Sequence, residues 1–306
     1  MQTEKLKLPS YGGQALMEGV LMRGAHAVSA AMRAPNGEIV LHTEKLTGIY
    51  KTKLARVPFL RGLVVLWDAL GLGSRFLVIS ANLQTGEDEK IEGVQLTLTL
   101  LFSFVVAALL FFALPAGIGY LADHSILTNA PEKANTGIVG NLIEGILRLL
   151  LVIGYIWGIG KVPDIARFFA YHGAEHKTIN AFEAGAELTP ESVARFPLYH
   201  PRCGTGFVLI VVLFSVLLFT LLGPLPFFWR LTTRILFIPV LAMLAYEYMR
   251  WTANHSQNPI VRVLIWPNLA MQRLTTKEPT RPMLEVSIAA FQSMLEQETN
   301  TSTQPS

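Results

Sequence analysis

Long uninterrupted apolar stretches dominate the pattern of residues along the chain. Four of them reach the length of about 20 residues that an α-helix needs to cross a bilayer; they are residues 96–121, 139–160, 205–223 and 231–249. Pro239, inside the last stretch, predicts a kink there. The second stretch contains Glu144 and Arg148, in the order that favours an ion pair on a helix. Because charges are costly inside a bilayer, we predict that this pair fixes helix packing.

A fifth apolar stretch, residues 58–83, has a different pattern. Its polar residues recur every seven positions, at Arg61, Asp68, Arg75 and Asn82. This interval places them on one narrow stripe of a helix. Such a stripe is typical of a helix that lies in the membrane interface with its apolar sides buried. We predict an interfacial amphipathic helix, and the alternative is a tilted span whose polar stripe faces the other helices.

The N-terminal region has the signals of β structure. Residues 28–33 and 38–43 flank Asn36-Gly37, a dipeptide that favours a tight hairpin turn. The glycine-rich segment 11–24 before them predicts either a glycine-bounded turn or a loop that lines a site. The predicted fold class is therefore mainly α. We expect a polytopic membrane protein with about four transmembrane helices, one interfacial amphipathic helix and a small N-terminal β-hairpin.

The composition agrees with a membrane protein, and the positions of the charges predict its orientation. The chain is 51% hydrophobic and 15% charged, with a mean hydropathy of +0.41. Of its 25 Lys and Arg residues, 11 precede residue 96, five lie in 161–204 and five lie at or after residue 250. By the positive-inside rule, residues 1–95, the loop 161–204 and the tail 250–306 are cytoplasmic, around a four-span region 96–249.

This distribution predicts where the protein resides and what it meets. We expect a multi-pass cell-membrane protein with both termini in the cytoplasm, and no cleaved leader because the first ten residues are polar. The predicted partner is the lipid bilayer. The net charge of +3 is modest and there is no basic run, so no nucleic-acid partner is predicted. Protein partners stay open.

The strongest chemical signal is the pentapeptide His172-Gly-Ala-Glu-His176. It lies in a helix predicted over residues 163–184, which begins at a Pro-Asp pair and ends before a glycine. His172 and His176 are one turn apart, so they project from one face and can hold one metal ion. Glu175 gives the H-x-x-E-H order of inverted zinc hydrolases, in which the Glu serves the site as a base.

A second pair of candidate ligands follows downstream. His200 and Cys203 are three residues apart, which suits two ligands from one tight turn. Cys203 is the single cysteine of the chain, so it forms no internal disulfide, and in the cytoplasm it stays reduced. It is thus a thiolate ligand, a nucleophile or an inert small residue.

Five further polar residues are candidates for contacts around the site. Asn180 and Glu183 follow on the same helix, but Glu183 lies about 10 Å along the axis from His176, which suits a supporting or substrate contact better than a ligand. The other three are Glu18 and Arg23 of the glycine-rich segment and Glu247 at the end of the fourth span. Glu247 is a rival third ligand, or else a surface partner of Arg250.

Five motifs together resemble the YqhQ-like family of bacterial integral membrane proteins. They are residues 11–24, 58–62, 171–180, 200–206 and 272–279, and the resemblance extends from Tyr11 to about residue 295. The function of this family is unknown, and its members are commonly described as predicted metal-dependent enzymes. The resemblance implies that the His/Glu/His and His/Cys motifs form its site, and it implies no substrate.

These observations predict a zinc-dependent hydrolase that works at the cytoplasmic face of the membrane. His172, His176 and His200 would bind zinc, with Cys203 as fourth ligand or close neighbour, and Glu175 would be the general base. Two alternatives stay open. The first is a non-enzymatic membrane scaffold or regulator with a structural zinc site, and the second is a thiol-dependent enzyme with Cys203 as nucleophile and a His as base. If the motif binds no metal, the remaining interpretation is a hydrogen-bonded polar cluster.

Overall fold

The protein is mostly helical and carries one small antiparallel sheet near its N-terminus. The computed structural model describes residues 11–46, 52, 57–85, 93–129 and 136–302. The sheet has four strands in the order β1-β2-β3-β4, with β1 Gly12–Leu16, β2 Gly19–Arg23, β3 Ala27–Arg33 and β4 Ile39–Lys45. The predicted mainly helical fold class is confirmed.

The predicted hairpin is confirmed as β3 and β4, but it is only half of the sheet. These strands pair with Ala31 opposite Leu41, and Gly37 supplies the positive φ of 90° in their turn. Residues 11–24, predicted as a turn or a loop, instead form β1 and β2. β2 has both faces buried, so it reads as a continuous apolar run without the alternation that identifies a half-exposed strand.

Helices cover both faces of the sheet. On one face, Val20 and Met22 pack in a core with residues of α6 (Pro163–Glu183) and α12 (Arg281–Ser302). On the other face, Leu21 and Val28 pack against Phe76 of α2 (Gly73–Gln84). This burial compensates for the low stability that an isolated small sheet would have.

The apolar segment before the first long span is a broken helix. It consists of α1 (Leu60–Trp67), a π-helical turn (Asp68–Leu72) and α2. By length and composition Leu60–Gln84 could cross a membrane. Its second half, however, lies on the sheet, where Gln84 donates a 2.8 Å hydrogen bond to the Arg33 carbonyl. Those contacts favour the predicted interfacial position over a span.

The remaining helices form the apolar bundle and its connections. They are α3 (Gly93–Ala108), α4 (Leu114–Asn129), α5 (Thr136–Ile159), the short α7 (Pro190–Val193), α8 (Gly204–Leu222), α9 (Phe227–Leu236), α10 (Ile238–Asn254) and α11 (Pro259–Thr275). A π-helical turn, Leu109–Ala113, joins α3 to α4.

Four helical segments of the described chain are long and apolar enough to cross a membrane, or five if one bent pair counts as a span. Besides Leu60–Gln84, they are Gly93–Ser125, Ile138–Ile159 and Gly204–Leu222, and the bent pair is α9 with α10. That pair bends by 46° next to Pro239, as the sequence predicted. Pro239 is in the first turn of α10, where its missing N–H breaks no helical hydrogen bond.

A buried charge network holds α9 against the bundle. We use this name for Asp123, Glu144, Arg148, Arg230 and Arg234, all of which are buried. Glu144 accepts from Arg148 at 2.7 Å, which confirms the predicted pair, and also from Arg234 at 2.8 Å. Arg230 donates to Asp123 at 2.8 Å. The sequence indicated only the pair on α5, because Arg230 and Arg234 reach it from a helix about 90 residues away.

Candidate functional site

Three of the predicted ligands meet at one end of the apolar bundle. One ligand atom each from His172, His176 and Cys203 lies within 4.8 Å of the others. We call these three residues the His/Cys cluster. Helix α6 supplies both histidines from one face, as predicted, and Cys203 caps the N-terminus of α8, where its sulfur accepts from the Thr205 N–H at 3.4 Å.

Backbone carbonyls fix the tautomers of both imidazoles. His172 Nδ1 lies 2.8 Å from the Thr275 carbonyl, and His176 Nδ1 lies 2.5 Å from that of Leu198. Since a carbonyl only accepts, each Nδ1 carries the proton and each Nε2 is left with a lone pair. His176 Nε2 is buried without a hydrogen-bond partner. Metal-ligating histidines usually donate a hydrogen bond in this way from the ring nitrogen that does not bind the metal. A set of two imidazoles and one thiolate suits zinc.

Glu175 lies beside the cluster, and its side chain is buried. Its side chain packs on Gly13 of β1, where any Cβ would come within 2.9 Å of the carboxylate carbon. Oε2 is buried and has no hydrogen-bond partner. Burial raises the pKa of Glu175 to about 7, against the smaller lowering effects of the neighbouring His172 and of a hydrogen bond from the Gly13 backbone. A carboxyl group with this pKa can both accept and release a proton near neutrality.

The cluster opens onto a cavity of about 340 Å³ between the sheet and the helix ends. His172, Glu175 and Cys203 line it from one side. The opposite walls come from β1 and β2, the π-helical turn and the end of α10, with Gln14, Arg23, Asp68 and Arg250 among the polar lining residues. A site of this size suits a small molecule or one end of a larger one.

His200, the fourth predicted ligand, lies next to the cluster. Its ring centroid is 5.9 Å from that of His176, and its Nε2 is 3.6 Å from a carboxylate oxygen of Glu183. Gln272 holds the His200 backbone with two 2.9 Å hydrogen bonds, one accepted and one donated by the amide. Burial lowers the pKa of His200, so the neutral ring is favoured.

The two other candidates on α6 support the loop that carries His200. Asn180 donates to the carbonyls of Pro197 and Tyr199 at 2.8 and 3.1 Å. Glu183 pairs with Arg202 as well as with His200. Both residues therefore support the loop from outside the cluster, which for Glu183 agrees with its axial separation from His176 on the helix.

The remaining three candidates separate in the folded chain. Arg23 lines the cavity and pairs with Asp68 at 2.6 Å. Glu18 lies in the tight β1–β2 turn and pairs with Arg167 at 2.6 Å. Glu247 accepts hydrogen bonds from Arg61 through both carboxylate oxygens, is also attracted by the Arg250 charge, and lies outside the His/Cys cluster.

Sequence reasoning missed several residues that shape the site. From the sequence, Asp68 was only one member of a polar stripe. In the structure it begins a π-helical turn and lines the cavity. Such turns are frequent at functional sites. Gly13 and Gln14 belong to the segment predicted as a turn or as a loop that lines a site, and they line the cavity from strand β1. Gln272 belongs to the motif 272–279, but nothing local indicated that it would clamp His200, 72 residues away.

The fold and site define a helical protein with several candidate membrane spans and a His/Cys cluster at one end of the bundle. Residues 57–297 match the family model described as "Protein of unknown function (DUF1385)", so the chain belongs to this family. It is similar to "Uncharacterized protein YqhQ" of Bacillus subtilis (strain 168), with 33% identity over 304 residues, covering 94% of this chain and 92% of the relative. The predicted resemblance to the YqhQ-like family is thereby confirmed. No solved structure matches.

Proposed function

We propose that this protein is a zinc-dependent hydrolase. The carrying observation is that His172, His176 and Cys203 bring three ligand atoms within 4.8 Å of one another, and that two of these residues, His172 and Cys203, line an open cavity. Three protein ligands with a remaining position open to a cavity are typical of catalytic zinc. Zinc held there would act as a Lewis acid that lowers the pKa of water.

The protein residues around the cluster suit this reaction. Glu175 is the proton acceptor, because Oε2 is buried, unpartnered and next to the cluster. The carbonyls of Thr275 and Leu198 keep the two Nε2 atoms available. His200 lies outside the three-ligand set, with its ring centroid 5.9 Å from that of His176, and is a neighbour that orders the loop.

A thiol-dependent enzyme is the second candidate, on one observation. Cys203 Sγ lies 3.3 Å from His172 Nε2, within reach of a base that could accept its proton. A scaffold with structural zinc would instead need a fourth protein ligand to close the site.

Metal analysis tests the leading proposal. Protein purified without chelator is expected to contain about one zinc per chain, measured by mass spectrometry of the digested protein. Replacing His172, His176 or Cys203 by alanine should lower zinc affinity by more than the 10–100-fold typical of changes to outer residues. The control is His255→Ala, an exposed histidine at the end of α10. Wild-type protein without bound metal would contradict the zinc proposal and leave the thiol enzyme or a polar cluster without metal.

We also propose that the cluster faces the cytoplasm, with both chain ends on the same side. The support is the excess of Lys and Arg in 1–95, 161–204 and 250–306. The terminal residues 1–10 and 303–306 lie outside the described residues.

Cysteine accessibility in whole cells tests this orientation. In a Cys203→Ala background, a cysteine at position 129, the end of α4, should react with an impermeant maleimide added outside. A cysteine at Glu187, exposed in the loop after α6, should react only after the cells are permeabilised. The opposite labelling pattern would overturn the orientation and the argument that Cys203 stays reduced.

A further inference from the structure

The cavity lies where the apolar helices end and the polar part of the protein begins. Gly204 is the first residue of the candidate span α8, and Arg250 lies four residues before the end of α10 at Asn254. Val65 and Leu72 come from the apolar segment before the first long span. The other side of the cavity belongs to the sheet and α6. A molecule in the cavity thus touches both apolar and polar walls.

Tryptophans mark the same level. Two tryptophans that adjoin cavity-lining residues in the sequence are exposed, Trp67 at 60% and Trp251 at 47%, and Trp157 at 57% and Trp266 at 64% are exposed on α5 and α11. Trp67 precedes Asp68 and Trp251 follows Arg250, both of which line the cavity. Exposed tryptophans at helix ends form the belt found at the membrane–water interface.

The length of α8 matches the thickness of the hydrocarbon core of a bilayer. The 19 residues of α8 extend about 28 Å at 1.5 Å per residue, close to the ~30 Å of a hydrocarbon core. The fifth tryptophan, Trp229, is exposed in α9, just beyond the far end of α8. These two levels are therefore about one hydrocarbon core apart, as they would be if the cavity lay among the lipid headgroups of one leaflet.

Positive charge predominates in the cavity wall. Three guanidinium groups line it, those of Arg23, Arg202 and Arg250, against the carboxylate of Asp68 and the Glu175 side chain beside the cluster. Arg23 is paired with Asp68 and Arg202 with Glu183. Arg250 is exposed and makes no hydrogen bond or close ion pair with any described residue, although its charge attracts the nearby carboxylate of Glu247, which is bound to Arg61. A guanidinium is suited to bidentate binding of an oxyanion such as phosphate.

We infer that the substrate of the His/Cys cluster is the headgroup of an anionic phospholipid, which enters the cavity from the bilayer and is held by Arg250. This inference rests on the proposed function for the reaction but not for the binding. The cavity has to admit only the headgroup, which its volume of about 340 Å³ allows, because the acyl chains stay in the bilayer. Val65 and Leu72 line the apolar wall on the side of the helices.

Lipid binding by the full-length protein tests this inference. Protein in phosphatidylcholine nanodiscs, with or without phosphatidylglycerol, is analysed by native mass spectrometry for retained lipid and by thermal unfolding. Wild type is expected to retain phosphatidylglycerol selectively and to unfold at a higher temperature in its presence. Arg250→Gln should weaken that retention about tenfold, the loss expected for one hydrogen bond to a charged group. Arg250→Lys should keep part of it.

The matched control is Arg273→Gln, which removes the same charge from an exposed position of α11 outside the cavity. It should retain phosphatidylglycerol like wild type. Equal loss in both arginine variants would reduce the effect to general surface charge and overturn the inference. Inorganic phosphate and glycerol phosphate, added to phosphatidylcholine discs, test a soluble source, and binding of these as tight as that of phosphatidylglycerol would overturn the lipid assignment.

Zinc measured in the same samples separates this inference from the proposed function. Protein that contains zinc but has no preference for phosphatidylglycerol overturns the lipid substrate alone. Selective lipid retention without zinc overturns the hydrolase alone and keeps Arg250 as a headgroup contact.

Discussion

Glu175→Gln is expected to keep the fold and the bound zinc of the wild type and to fail to complement a strain that lacks the gene. The amide keeps the size of the side chain and part of its hydrogen bonding, but it cannot accept a proton. Loss of a general base costs about 10²–10⁴ in rate. Because the His/Cys cluster does not include Glu175, metal content should not change. Zinc analysis, thermal unfolding and growth of the complemented strain measure the three quantities.

The control for this variant is Glu187→Gln, the same change at an exposed position shortly after α6. It should behave as wild type in all three measurements. Full complementation by Glu175→Gln would favour a structural zinc scaffold or the thiol enzyme. Loss of zinc in Glu175→Gln would make this residue a ligand or an essential support of the ligands, and the role as base would be wrong.

Glu144→Gln should have the largest effect on stability. Glu144 accepts from Arg148 and Arg234 at 2.7 and 2.8 Å and has a contact of 3.4 Å with Arg230. Its neutralisation leaves three buried guanidinium groups facing the single carboxylate of Asp123 within the network. Removing one partner of a buried ion pair typically costs 3–5 kcal/mol, which is a large part of the stability of a folded protein. We expect a lower unfolding temperature and little monodisperse protein on size exclusion in detergent.

A second substitution distinguishes charge imbalance from a loss of packing. The double variant Glu144→Gln/Arg148→Gln restores the net charge of the wild-type network and should recover part of the lost stability. Glu187→Gln again serves as the control for the chemical change. A double variant less stable than Glu144→Gln would show that packing and hydrogen bonds, rather than net charge, account for the effect.

The buried charge network and the His/Cys cluster show which contacts the local sequence pattern can predict and which it cannot. Glu144 and Arg148 could be paired from sequence because four residues make one turn of a single helix. Arg234 joins the same carboxylate from another helix, and its contact depends on how α9 folds back after α8. The same holds for His172 and His176, which helical spacing brings together, whereas Cys203 reaches them only through the path of the chain from α6 to α8.

The sequence by itself determined the apolar helices, the kink at Pro239, the helix of the pentapeptide and the hairpin of β3 and β4. All of these follow from apolar length, from a period of 3.6 or 2 residues, or from turn residues, which act over a few neighbours. Only the tertiary structure decided that residues 11–24 are two strands, that Gly13 packs on Glu175 and that Asp68 and Arg250 share a cavity with the cluster. Those features depend on the packing of segments distant in sequence, and no local periodicity encodes which distant surfaces meet.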